Sequence, residues 1–446
     1  MFDRLTAEEP PPAIERAIRL SYSQAMLTAI YGASTGGMFL IGYALRLGAN
    51  NIQIGMMSTI PMLCVVAQLF ASALVERGVS RRRITLLAAL ANVWCWALVI
   101  LIPYTAARAA PGVRIFALIA AIALVSLFAQ ISGNARGSWV GDLIPAKVRG
   151  TFFGRLTMYA GIVGTVFAVV EGAFLDHVKR MGIGAFGGLF GFGMIFGVAS
   201  ALLFVPQPDV ALERDGSGNG FLRLIRQTFA NVPLMLVMGY ALLWSMQSIA
   251  APFYATYMLR DLKMPFLGVG LINAVATLSM LAASPFWGRL VDRYGCRPVL
   301  IACTAAIIPS PLVWVWMKSA ATVYAVIPPF NLLAGIAAAG ISVALSTLIY
   351  KVTPSAGRST QFAVYSIIVV LVVSPMPTLG GYLPEWLRAV GVDIGLRATF
   401  FGSAAFIFAA AWAARLIREP DARATRELIR SLPVHLRRPE SLDARE

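Results

Sequence analysis

Apolar runs of roughly 20 residues alternate with short polar stretches along the whole chain. A helical run of that length, rising about 1.5 Å per residue, spans the hydrocarbon core of a bilayer. Twelve such runs stand out, at about 24–45, 54–75, 84–104, 115–140, 153–175, 184–206, 232–257, 266–287, 299–317, 323–350, 362–383 and 398–418. In lipid a backbone N–H or C=O finds no water to bond, so each run is expected to be an α-helix. The pattern predicts an all-α membrane protein with twelve transmembrane helices. The opening MFDRLTAEEPPPAIERAIRL is polar. The first apolar run is longer than a leader's and lacks a small-residue cleavage site, so it reads as a spanning helix rather than a cleavable signal.

Composition agrees. Of 446 residues, 58% are hydrophobic and only 13% charged, and the mean hydropathy is +0.74. A soluble domain carries about twice that charge fraction. The net charge of +16 raises the question of nucleic acid, and its distribution answers it. With twelve spans and both termini on one side, Lys and Arg number 26 on the terminus side, 10 on the other and one within a span. That asymmetry is the positive-inside rule. It predicts a multi-pass protein of a bacterial-type inner membrane with both termini cytoplasmic, and no nucleic-acid partner. The arginine-rich tail RATRELIRSLPVHLRRP either is a solvated segment that helps set topology or lies on anionic headgroups.

Catalytic chemistry finds little to work with. Cys64, Cys95, Cys296 and Cys303 are scattered without a CxxC, and the two histidines, His177 and His435, fall in loops. Neither a disulfide frame, a metal site nor a Ser-His-Asp triad is expected. No phosphate-cradling Walker motif occurs. The expectation is a protein that is not an enzyme, needs no cofactor and is not driven directly by ATP.

The chain is also written twice. Tyr43-Ala-Leu45-Arg46 returns as Tyr257-Met-Leu259-Arg260, 214 residues on; Gly55 returns as Gly270 and LVER (74–77) as LVDR (290–293). PAKVRGTFF (145–153) returns as PSAGRSTQF (354–362), and Gly172 as Gly381, both 209 residues on. The drop in offset falls where the loop TAARAAPGVR faces the shorter KSAAT. Two pseudo-symmetric six-helix bundles are therefore expected. The divisions are a cytoplasmic segment 1–23, a bundle 24–206, a linker 207–231 with Gly/Ser turn chemistry, a bundle 232–418 and a basic tail 419–446. Parallel repeats of this kind characterise one large class of secondary transporter, with the solute site near mid-membrane.

The segment GRLVDRYGCRPVL (288–300) carries a resemblance. With the full-length repeat, it identifies the chain as similar to the major facilitator superfamily, whose loop between helices eight and nine reads Gly-x-Leu-x-Asp-Arg-x-Gly-x-Arg. Gly288, Leu290, Asp292, Arg293, Gly295 and Arg297 match it position by position. The first-half copy, SALVERGVSRRR, departs from it: Ser72 stands for the glycine, Glu76 for the aspartate, and Gly78 sits one residue early. The run from Asp142 through Pro145 to Arg149 and Gly150 resembles a further loop common in the family. The resemblance implies a gate at the cytoplasmic ends. Asp292 would lie near the start of helix five, by Arg149 and Arg155, and Glu76 near the start of helix eleven, by Arg358. A carboxylate near a helix N-terminus is electrostatically favoured, and such contacts form and break between two states. The glycines would permit close helix approach and a tight reversal. The alternative is that these are soluble loop charges that only set topology.

Away from the span ends, two charged residues remain inside the predicted spans, Arg136 in the fourth and Glu171 in the fifth. Intramembrane charges are expensive enough to be functional hypotheses by default. Glu171 occupies the repeat position of Gly380, a small-residue packing position. A desolvated carboxylate there suits a group that takes up a proton on one side and releases it on the other; the alternative is that it merely reaches the interface with Asp176. Arg136 either holds an anionic substrate or anchors the cytoplasmic gate. Polar and aromatic residues near mid-membrane are candidate cavity lining: Tyr31, Ser34 and Thr35 on the first helix, Trp244 and Gln247 on the seventh, Asn273 on the eighth and Asn331 on the tenth. Each could instead bond across helices for packing.

The expected function is secondary active transport of a small organic solute by alternating access, by a monomer in the bilayer, with proton coupling resting on Glu171. The alternatives are an uncoupled facilitator, or a non-transporting scaffold or sensor of the same fold.

Overall fold

The structure, a computed structural model, describes residues 12–105, 108–144, 146–208, 229–353, 358–419 and 424–429. Among the described residues, twelve helices are long and apolar enough to cross a membrane: α1 (Ile14–Arg46), α2 (Asn51–Val75), α3 (Arg81–Thr105), α4 (Pro111–Val140), α5 (Arg149–His177), α6 (Gly184–Leu202), α7 (Val232–Asp261), α8 (Phe266–Tyr294), α9 (Cys296–Trp316), α10 (Ala320–Val352), α11 (Val364–Ala389) and α12 (Arg397–Leu416). Every expected span is one of them, and the described residues contain no strand. Several helices overrun the apolar run by one to three turns, as α1 does below residue 24 and α8 beyond residue 287. The i→i−4 ladder continues where the side chains turn polar, because hydropathy marks the lipid boundary and not the hydrogen-bond boundary.

Helix ends follow local chemistry. At the start of α2, the Asn50 N–H donates to Gln53 Oε1 (3.0 Å) and the Gln53 N–H to Asn50 Oδ1 (2.9 Å), a reciprocal cap. Ser319 and Thr322 make the same kind of box before α10, and the Asn231 side chain accepts from the Leu234 N–H at the start of α7. Gly295 joins α8 to α9 at φ 92°, a conformation that costs a glycine little. Large apolar side chains stand outward, Phe116 at 71%, Ile195 at 67% and Phe408 at 65% exposure, which in water would be a liability and in lipid is the expected surface.

The described residues divide into two compact units, one drawn from 1–49 and 60–215, the other from 50–59 and 216–446. In the first, α1 packs on α5 and α6, α3 on α4 and α6, and the later part of α2 on α4. In the second, α10 packs on both α8 and α9, and α12 on both α7 and α9. Residues 50–59, the opening turns of α2, pack on α11: a Cβ on Gly55 would collide with the Pro377 carbonyl, and one on Gly381 with the Asn51 carbonyl. Thr59 and Thr378 share a hydroxyl–hydroxyl bond of 2.7 Å along the same seam.

The sequence repeat has a structural counterpart. Tyr43 O–H donates to the Val99 carbonyl (2.7 Å) and Tyr257 O–H to the Met317 carbonyl (2.5 Å), in each half tying the first helix to the third or its exit. The first helix of each half is also interrupted at the same place. α1 breaks at Gly36–Gly37, with Gly37 at φ 52°, and α7 passes into a 3-10 turn over Gln247–Ala250. Gly36 and Ala250 are 214 residues apart, the offset that relates Tyr43 to Tyr257.

Candidate functional site

In the first unit the break in α1 sits beside a buried carboxylate. Glu171, on α5, is 3% exposed. Ser34 Oγ lies 2.5 Å from Glu171 Oε1 and 2.9 Å from the Ile30 carbonyl, whereas Glu171 Oε2 is buried without a hydrogen-bond partner among the described residues. A hydroxyl has one proton to give. When Glu171 is ionised, Ser34 donates to it; when Glu171 carries a proton, it can donate to Ser34, which then turns its own proton to Ile30. Either protonation state of Glu171 can therefore be hydrogen-bonded by one rotation of the Ser34 hydroxyl. The pair is held tightly, since a Cβ on Gly193 of α6 would stand 2.7 Å from Ser34 Cβ. The charged or titratable side chains of α1, the helix packed on this stretch, are Glu15, Arg16, Arg19, Tyr22, Tyr31, Tyr43 and Arg46, and α6 has none.

The remaining first-unit candidates are satisfied within the helices. Tyr31 O–H donates to Asn92 Oδ1 (2.7 Å), and Asn92 Nδ2 to the Val125 carbonyl (2.7 Å), linking α1, α3 and α4. Thr35 is bonded back to the Tyr31 carbonyl (2.6 Å). Arg136 is partly buried with its guanidinium 5.9 Å from the Phe204 ring centre, a cation–π distance. Sequence reasoning passed over a second polar knot: Gln24 Nε2 donates to Thr28 Oγ1 (2.7 Å) and Ser200 Oγ (2.9 Å). Gln24 and Thr28 stand one helical turn apart on α1, which was the available signal, and Ser200 lies on α6.

In the second unit the interruption of α7 places Gln247 and Trp244 half-buried, and Ser248 Oγ is buried without a partner among the described residues. The turn has a packing cause as well, because a Cβ on Gly380 would collide with the Ile249 carbonyl. Asn331 Nδ2 donates to the Ile272 carbonyl (2.9 Å), tying α10 to α8, while Asn273 is exposed.

The loop 288–300 is held by a residue the sequence did not single out. Glu419 Oε2 accepts from the Arg297 backbone N–H (2.7 Å) and Oε1 from Lys351 Nζ (3.0 Å). It caps the N-terminus of α9, where the helix dipole favours negative charge. Burial by itself would raise the Glu419 carboxyl, but the Arg297 N–H, the Lys351 ammonium and the Cys296 N–H hold it below the usual carboxylate value. Arg297 Nη2 donates to the Arg415 carbonyl (2.9 Å). Asp292 and Arg293 are exposed, Asp292 has no ion pair among the described residues, and Arg293 lies 5.7 Å from the neighbouring Tyr294 ring centre. Gly295 makes the reversal, but a Cβ on Gly288 would meet open space. Arg149 is exposed and bonds the Ile144 carbonyl (3.2 Å). The side chains of Glu76, Asp142 and Arg358 lie outside the described residues.

Residues 236–441 match the family model of the Major Facilitator Superfamily. Among solved structures, the chain is similar to a point mutant of the nucleoside transporter NupG (13% identity, 90% of this chain and 100% of that one, TM-score 0.69). It is similar too to a bacterial homologue of the human lysosomal transporter Spinster (15%, 92% and 98%, 0.67) and to a D-xylose–proton symporter (13%, 92% and 100%, 0.66). At these identities the likeness establishes the fold. No curated protein sequence matches the chain.

Proposed function

Given a chain of major facilitator superfamily fold whose second half matches that family's model, we propose that it is a secondary transporter. It moves a small organic solute across a bacterial-type inner membrane by alternating access, with both termini cytoplasmic, and Glu171 carries the coupled proton. The observation that supports this reading most is the pair of interruptions at equivalent positions in α1 and α7. Interrupted helices in corresponding places of two repeats are the best pointer to a transporter's site, because freed backbone groups at membrane depth are tolerated where they line a cavity. One interruption has the Ser34–Glu171 pair beside it, the other Gln247 and Ser248. Membrane-embedded charge this sparse suits a neutral or amphipathic solute.

The test is a thermal-shift screen of the purified chain against a broad solute panel, at acidic and alkaline pH, for wild type and Glu171→Gln. A solute at 100 times its dissociation constant stabilises by about 2.7 kcal/mol. Stabilisation that varies with pH in the wild type and not in Glu171→Gln is expected. A solute that binds both proteins alike at every pH would make this an uncoupled facilitator, and silence across the panel would favour the scaffold.

A further inference from the structure

The second unit contains a cavity of about 460 Å3 at the ends of α7 and α11 and the start of α12. It is large enough for a small ligand. Its lining includes Arg260, Lys318, Arg388 and Arg397, against a single lining carboxylate, Asp261. Four cations, from the ends of α7 and α11, the segment after α9 and the start of α12, thus converge on one hollow.

Two of these cations are fixed. Arg260 Nη1 donates to Asn51 Oδ1 (2.8 Å), and its Nε and Nη2 grip Asp261 (3.1 and 3.3 Å). Arg388 grips Asp393 (3.3 and 3.5 Å), on a loop that turns through Gly391 and Gly395 at positive φ. The other two, Lys318 and Arg397, have no carboxylate partner among the described residues. Arg397 is moreover the first residue of a 17-residue helical stretch with no acid in its first turn, the end at which the helix dipole disfavours a cation. Like charges gathered without counter-charge repel one another, and an anion seated among them removes that cost.

We propose that this pocket binds a phosphate-bearing anion, with Lys318 and the Arg397 fork supplying the charge and Arg260 and Arg388 the N–H groups their carboxylate partners leave over. Arginine forks match phosphate oxygens in pairs, and lysine acts as a point charge. The phosphate belongs either to a soluble ester or to a lipid headgroup, and two arms separate these sources. In the first, inorganic phosphate and glycerol 3-phosphate are titrated calorimetrically into the full chain in neutral detergent. In the second, the chain is reconstituted in vesicles of phosphatidylglycerol and phosphatidylcholine, and retained lipid is read by native mass spectrometry. In one arm, binding is expected to weaken at least about tenfold in Lys318→Gln/Arg397→Gln, to survive in Lys318→Arg/Arg397→Lys, and to fall with added salt. Loss in the first arm names a soluble ester, and loss in the second a headgroup. The proposal is overturned if neither probe binds the wild type, or if the Gln double variant binds as well as the wild type.

Discussion

Glu419 concentrates three favourable contacts on two oxygens, two of them from backbone amides at the head of α9. Its carboxyl is held below the ordinary value, so its contribution is present above about pH 4.3 and is lost as pH falls through the lowered value. Glu419→Gln keeps the shape and removes the charge, which is worth about 1–3 kcal/mol for charge-assisted bonds. Half-exposed Lys351 contributes the smaller share. The expected result is a lower melting temperature at neutral pH and a difference from wild type that shrinks in acid, measured by thermal unfolding across pH. Other residues divide by how far their partners lie along the chain. Glu171 was visible in the sequence as a charge in an apolar run. Its partner Ser34, 137 residues away, was visible only as one polar residue among several, since nothing local distinguishes it from Thr35, which bonds its own helix.

Helices meet where side chains are smallest, and the seam between the start of α2 and α11 is one example. Gly55 and Gly381 each face a backbone carbonyl of the other helix with no room for a methyl, and the Thr59–Thr378 bond closes the same strip. Gly55→Ala forces the backbones apart, and overpacking of this kind costs about 1–3 kcal/mol. The expected outcome is a lower melting temperature, while Gly288→Ala, which would meet open space, leaves it unchanged within error; paired thermal melts decide. Helix existence was legible throughout, because twelve apolar runs of bilayer length admit one solution in lipid. The interruptions were less legible. Gly36-Gly37 announces the first, and Pro252, which has no N–H for the Ser248 carbonyl, marks the second, where Gly380 also packs closely on Ile249.

At the level of the molecule, the repeat fixes two six-helix sets, and the resemblance assigns the loop 288–300 a gating part. Asp292 stands exposed with no ion pair among the described residues, near enough to Lys351 and Cys296 to act on both electrostatically, on a loop anchored by Arg297 and Glu419; the resemblance gives it a contact that forms in one state and breaks in another. Asp292→Asn is expected to slow solute flux into proteoliposomes several-fold at an unchanged melting temperature. Normal flux would reduce Asp292 to a topology charge.

The sequence by itself determined the class, the number of helices, the duplication and the scarcity of membrane-embedded charge. Each of these depends on composition and spacing, which lipid converts directly into structure. Only the tertiary structure decided which polar residues are spent on packing, as Tyr31 and Asn331 are, and which are left with a free atom, as Glu171 and Ser248 are. It also decided that Arg260, Lys318, Arg388 and Arg397 share one hollow. Hydrogen bonds and charges act over a few ångströms of space, and positions more than a hundred residues apart become neighbours only when the helices are packed.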